Sequence, residues 1–187
     1  MKNLNVTIST NLKLLRQKNG WSLDVASKKT GVSKAMLGQI ERGESSPTIS
    51  ILWKIANGFE TSFSYFIEDA VANKKSTLYR KSDLIKVHSR DDKIRVTPIF
   101  SYDKKLGFEV FIIELLPNSK HLSPPHHGNI IEHVIATYGP MEVLVDSIWH
   151  KIKKNEGLRF NANQPHGYRN TSGKKIAFYN IIHYLPS

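Results

Sequence analysis

Trp21–Phe59 reads WSLDVASKKTGVSKAMLGQIERGESSPTISILWKIANGF, and its punctuation decides the N-terminal half of the chain. Ser22 stands just before a run with helical spacing and can cap a helix whose first turn holds Asp24 and Val25. Thr30-Gly31-Val32-Ser33 reads as a short turn, with Gly31 suited to a positive φ and Ser33 able to cap the next helix. The spacing predicts that third helix from Lys34 to about Arg42, stopped at Gly43. Thr48 starts a fourth, with Ile51, Leu52 and Ile55 as its apolar stripe and Asn57-Gly58 as its end. Upstream, Ile8, Leu12 and Leu15 fall at helical spacing and run to Asn19-Gly20. Downstream, Ser62 to Ile67 makes a short fifth helix.

Five short helices, with a Gly-containing turn between the second and third, describe a helix-turn-helix bundle. Over about residues 7–68 the chain resembles the phage-repressor-type regulators, the xenobiotic-response-element family, without a gap. Val32, Leu37 and Ile40 take core positions and Ser27 is small where the second helix passes the third. Lys34, Ala35, Met36 and Gln39 are left facing out. The resemblance implies that the N-terminal end of the third helix enters the major groove of double-stranded DNA. Gln39 would then bond an adenine edge through N6 and N7. Lys34 would reach a guanine or a phosphate, and Ala35 and Met36 a thymine methyl, with core packing the alternative for Met36. Ser22 and Ser33 sit at helix N-termini, where backbone N–H groups bind phosphate; Arg42 completes the expected DNA-binding set. Arg16 and Glu41 resemble the family's internal salt bridge.

Composition agrees with a polyanionic partner. The net charge is +11 over 187 residues. Residues 1–43 carry eight Lys/Arg against two acids, Asp24 and Glu41. Charge alone does not locate the site, because the residues from 78 onward are also basic. With no cysteine there is neither a disulfide framework nor a thiolate metal site. No apolar run approaches the ~20 residues that span a bilayer and no signal segment precedes the first helix. The expected location is the cytoplasm, with no membrane partner.

All eight histidines lie beyond residue 77, where the pattern changes. We expect a helix-turn-helix domain over 1–68, a polar linker over 69–77 (DAVANKKST) and a second domain over 78–187. In the second, IRVTPIF, FEVFIIELL, MEVLVDS, HKIKKNEGLRF and KIAFYNIIHYL are β-rich runs between Gly, Pro, Asn and Asp turns. They imply an antiparallel sandwich or barrel.

Pro125–Asn170, PHHGNIIEHVIATYGPMEVLVDSIWHKIKKNEGLRFNANQPHGYRN, resembles the two motifs of a cupin, a double-stranded β-helix barrel. Glu132 and Gly139 stand as in the first motif, which opens His-x-His in the family. Here the histidines are adjacent: His126 fits the first with Gly128 at the second, or His127 fits the second with Pro125 at the first. In the second motif Gly157, His166 and Asn170 keep the spacing. Asn161 replaces a Pro, Leu158 a common Asp, and Asn163 a Gly, a swap that asks Asn163 to tolerate left-handed angles. The resemblance implies a ligand pocket with His126, Glu132, His166 and Tyr168. It also implies a divalent ion, zinc foremost, on His126 or His127 with Glu132 and His166. The alternative is a metal-free polar pocket. Phe160, Tyr179 and Trp149 line a cavity or pack in the core. His121, His133, His150 and His183 are expected to be ordinary surface or core residues.

The expected protein is therefore a multidomain α + β chain. A five-helix DNA-binding bundle precedes an antiparallel cupin barrel that senses a small-molecule effector. It would act as a homodimer on an inverted-repeat operator and would not be an enzyme. The rival readings are a metal-dependent cupin enzyme carrying a DNA-binding appendage, and a phage-type repressor whose C-terminal half only dimerises.

Overall fold

The computed structural model describes residues 4–68, 78–80, 84, 86–87 and 93–186, and divides the chain into two compact units, Met1–Tyr79 and Arg80–Ser187. The expected linker over 69–77 lies outside the described residues, as does His88.

The first unit holds α1 (Leu4–Lys18), α2 (Leu23–Thr30), α3 (Lys34–Glu41), α4 (Ile49–Gly58) and α5 (Ser64–Ile67). Several boundaries have a local cause. Ser22, Ser33 and Thr48 cap α2, α3 and α4 by accepting from Val25 N, Met36 N and Ile51 N, each at 3.2 Å. Gly31 ends α2 at φ 65°. The core joins Leu12, Leu37, Ile40, Leu52, Ile55, Phe63 and Phe66, all fully buried. Each such side chain contributes about 1.5–3 kcal/mol. The closest backbone approach is at Gly58, where a Cβ would lie 2.6 Å from Thr30 Cα. Ser27, expected at a close crossing, is only half-buried; its neighbour Ala26 is the buried small residue.

Side chains then tie the helices together. Arg16 donates to both Glu41 oxygens, from Nε at 2.6 Å and Nη2 at 2.8 Å, and from Nη1 to Trp21 O at 2.8 Å. The hydrogen bond to Glu41 raises the guanidinium above its ordinary pKa. Ser9 Oγ donates to Glu41 O at 2.6 Å, and Asn11 Nδ2 to the carbonyls of Tyr65 and Glu68 at 2.8 and 2.9 Å.

Among its described residues the second unit holds nine strands: β1 (Ile94–Asp103), β2 (Phe108–Leu115), β3 (Ser119–Ser123), β4 (Asn129–Tyr138), β5 (Met141–Val145), β6 (Ile148–Ile152), β7 (Gly157–Asn161), β8 (His166–Asn170) and β9 (Ile176–Leu185). They form an antiparallel five-stranded sheet, β1-β2-β9-β4-β7, and an antiparallel four-stranded sheet, β3-β8-β5-β6. The inward residues of both meet in one core that includes Phe111, Val134, Val143, Tyr168, Phe178 and Ile182. Tyr168 and Phe178 pack across it with ring centroids 4.9 Å apart.

At two points the structure departs from the sequence pattern. HKIKKNEGLRF is not one run but β6 and β7, separated by a turn in which Asn155 takes φ 67°. Asn163 is not among the residues with positive φ, so its replacement of a Gly needs no left-handed backbone.

Candidate functional site

In the helical unit, α3 carries the expected reading face. Ser33 caps its first turn, and Val32, Leu37 and Ile40 face the core. The same period leaves Ser33, Lys34, Ala35 and Gln39 exposed on the other side, with Met36 half-buried. Met36 is anchored through its sulfur, which accepts from Ser45 Oγ at 3.7 Å. Lys34 Nζ lies 2.8 Å from Asp24 Oδ2 in an exposed pair, and Arg42 is paired with Glu44 at 2.6 Å. Both cations are therefore available to phosphate only by leaving a weak surface partner. Ser22 is exposed at the start of α2, its hydroxyl already used as a cap.

In the barrel, His126, Glu132 and His166 come together, with ligand atoms all within 4.8 Å of one another. Their exposures are 4%, 1% and 1%. Glu132 projects inward from β4 and His166 opens β8, while His126 sits in the loop before β4, held by its N–H to Ala162 O at 2.8 Å. The neighbouring His127 is exposed and outside the group. Gly128 stands where the second histidine of a His-x-His would be, and its φ of 92° disfavours any side chain there.

The carboxylate of Glu132 is divided between two sets of partners. Oε1 lies 2.9 Å from His126 Nε2 and 3.3 Å from His166 Nε2. Oε2 accepts from the Tyr168 hydroxyl and from Asn180 Nδ2, the latter at 3.0 Å. Asn180 Nδ2 also reaches the Tyr168 oxygen at 3.3 Å. Burial by itself would push the Glu132 carboxyl up, but His166 and His126 beside it hold it well below the usual carboxylate range. Burial opposes the charge on His166, yet the Glu132 carboxylate raises it above its ordinary value. Burial and the same carboxylate push the Tyr168 phenol well up, so it remains a donor.

His166 Nδ1 donates to Gln164 O at 2.9 Å, which turns Nε2 toward Glu132. That buried Nε2 makes no hydrogen bond, and neither does the buried Asn180 Oδ1. Two Nε2 atoms, one of them on a ring whose Nδ1 is tied to a carbonyl, and one carboxylate oxygen suit a divalent cation. Ligands at ~2.1 Å from one ion stand roughly 3.0–3.4 Å apart at right or tetrahedral angles, near the two distances seen here. The residues present therefore fit a metal.

Of the expected pocket aromatics, Phe160 and Tyr168 face inward, with Phe160 5.3 Å from the His166 ring. Tyr179 and Trp149 do not line the interior. Tyr179 is exposed, and Trp149 lies under Arg169, whose Cζ is 4.2 Å from its ring. Sequence reading passed over Asn180. Its signal was present: period-2 alternation puts it on one face with Phe178 and Ile182, a lone amide between buried apolar residues.

A helix-turn-helix family model matches residues 12–66. The HTH-type transcriptional regulator SutR of Escherichia coli (strain K12) is 41% identical over 187 residues, which is 100% of both chains. The crystal structure of an HTH_3 family transcriptional regulator from Vibrio cholerae is 42% identical, covers 98% of each chain and has a TM-score of 0.84. The Cupin_2 domain of an XRE family transcriptional regulator from Enterobacter cloacae is 36% identical over 51% of this chain and 100% of that one, with a TM-score of 0.50. Among the described residues no helix is long and apolar enough to cross a membrane.

Proposed function

The chain belongs to the helix-turn-helix transcriptional regulators that carry a cupin domain, and from that premise we propose that its DNA binding is set by what its barrel holds. The observation that carries this reading is the buried group of His126, Glu132 and His166, closed on one side by Tyr168 and Asn180. Burying a carboxylate and two imidazoles is costly for a core, and a bound cation or polar ligand would offset that cost.

His126 Nε2, His166 Nε2 and Glu132 Oε1 would hold a divalent ion. Such an ion would supply open positions for a small-molecule effector. Tyr168 keeps its proton and, with Asn180, fixes Oε2 away from the histidines, so that Oε1 alone is turned toward them. The barrel acts in this reading as a sensor rather than a catalyst. Two chains pair, each placing α3 in the major groove of one half of an inverted repeat, ~34 Å apart. Gln39, Lys34 and Ala35 read or grip the half-site, while Ser22, Ser33 and Arg42 face its phosphates. The effector changes DNA affinity only as far as it binds the two states of the protein differently.

The test uses the full chain. Duplexes selected from a random pool should share an inverted repeat with half-sites about one helical turn apart. Affinity for that repeat should differ between protein loaded with zinc and protein stripped by a chelator. Selection of a single half-site would refute the paired mode. Equal affinity in both states would refute the sensing role of an ion.

A further inference from the structure

The central part of the outer face of the five-stranded sheet, beside the Arg95–Glu114 pair of the next row, has a composition at odds with a surface that meets water. Cross-strand partners place Ile112, Tyr179 and Ile135 in one row across β2, β9 and β4. Val110, Ile181 and His133 make the next row, and Phe108, His183 and Ile131 the third. Phe100 of β1 extends the middle row from its pairing with Val110. Phe100, Ile135 and Tyr179 are 45%, 39% and 38% exposed, and the other seven are half-buried.

These ten positions hold no Lys, Arg, Asp or Glu in a chain that is 23% charged. The outer face of the four-stranded sheet is mixed, with an apolar row of Leu122, Gly167, Leu144 and Trp149 beside a charged one. There one row across β3, β8, β5 and β6 reads Lys120, Arg169, Glu142, Lys151. An antiparallel sheet normally keeps polar residues on a solvated face. A contiguous apolar face of this kind marks an interaction site.

We propose that this face is where a second copy of the chain packs, sheet against sheet. The proposal rests on the paired mode of action and assigns its surface. Three arguments select a second copy. Size is the first. At ~4.8 Å between strands and ~6.8 Å between residues on one face, the ten positions span about 20 Å by 20 Å. That is about 400 Å² in projection, half of the ~800 Å² a side that a stable dimer needs, which suits an apolar centre inside a polar rim. Arg159, paired with His133 from β7, begins that rim.

Charge is the second. Two copies that each carry +11 repel least through a face without Lys or Arg, and a nucleic acid finds no Lys or Arg among these ten positions. Self-complementarity is the third. A two-fold axis parallel to the sheet at Ile181 lays the grid on its own image. With the axis along β9, Ile112 meets Ile135 of the second copy's grid. With the axis across the strands, Tyr179 meets His183. Neither arrangement opposes Lys, Arg, Asp or Glu within the grid.

The test is the mass of the full chain in sedimentation equilibrium, for the wild type, Ile181→Lys, Ile135→Lys and a control, Leu122→Lys, on the outer face of the other sheet. Circular dichroism and melting confirm folding. The wild type and the control are expected as dimers of twice 21.3 kDa, and both grid variants as folded monomers, with dissociation constants raised at least ~100-fold. Because the chain has no cysteine, Ile181→Cys provides a second readout. A bismaleimide of about 10 Å, the spacing of packed sheets, should join two copies through it, while Leu122→Cys should give none. Grid variants that remain dimeric would overturn the assigned face and leave the paired mode standing. A monomeric wild type would overturn both.

Discussion

The Tyr168 hydroxyl on β8 donates to Oε2 of Glu132 on β4, bridging the two sheets across 36 positions of sequence. Because Asn180 holds the same oxygen, the carboxylate keeps one fixed orientation. Tyr168→Phe removes one of these two supports without changing the ring packing on Phe178. Zinc affinity should fall about 10-fold to 100-fold while the melting temperature changes little. Isothermal titration of the folded variant decides it: unchanged affinity would show that Tyr168 only packs.

Glu132→Ala should remove metal content from the purified chain, by elemental analysis, and leave the helical unit folded, because its core is built from its own helices. If the pocket holds an organic ligand without metal, the same change should abolish the effector response and spare basal DNA binding. Should neither metal content nor response change, Glu132 is purely structural.

Gln39→Ala should cost about 1–3 kcal/mol on the selected repeat and relax preference at one base pair. Equal losses on random duplex would remove Gln39 from base reading.

Lys34 is held by Asp24 at 2.8 Å, and DNA must compete for it. Lys34→Ala should lower the slope of log affinity against log salt by about one unit per half-site. Asp24→Asn should strengthen binding to any duplex. A slope that stays the same in Lys34→Ala would exclude the phosphate contact.

Arg16→Ala leaves Glu41 without the bidentate partner that joins α1 to α3. The loss should be about 2 kcal/mol, below the fully buried case because the pair is partly solvated. Arg16→Lys should recover only part of it, since a compact ammonium cannot reproduce the planar fork that grips both Glu41 oxygens while reaching Trp21 O. Denaturant unfolding of the helical unit measures both.

Much of the helical unit was legible in the sequence because its determinants are local. Ser22, Ser33 and Thr48 cap helices within three residues of their own positions, and Gly31 bends the chain where it stands. The strands were less legible. β3 and β8, SKHLS and HGYRN, are short and polar, so hydropathy marks neither, although β3 buries alternate residues and β8 buries all but Arg169. Gly167 on β8 shows why they pair: a Cβ there would lie 2.6 Å from His121 O on β3, a closeness no composition reveals.

By itself the sequence determined the two domain types, the helix ends, the exposed face of α3 and the presence of Glu132 and His166 in one buried group, since periodicity, capping and motif spacing act over a few residues. Only the tertiary structure decided the rest. It turned His126 inward and His127 outward, because both lie in a loop where no period applies. It brought Asn180 to Glu132 from 48 residues away, because β9 lies between β2 and β4. It gathered isolated apolar residues of four strands into one face. Alternation along a strand says which residues share a side; strand order and register say which residues become neighbours, and those depend on every strand at once.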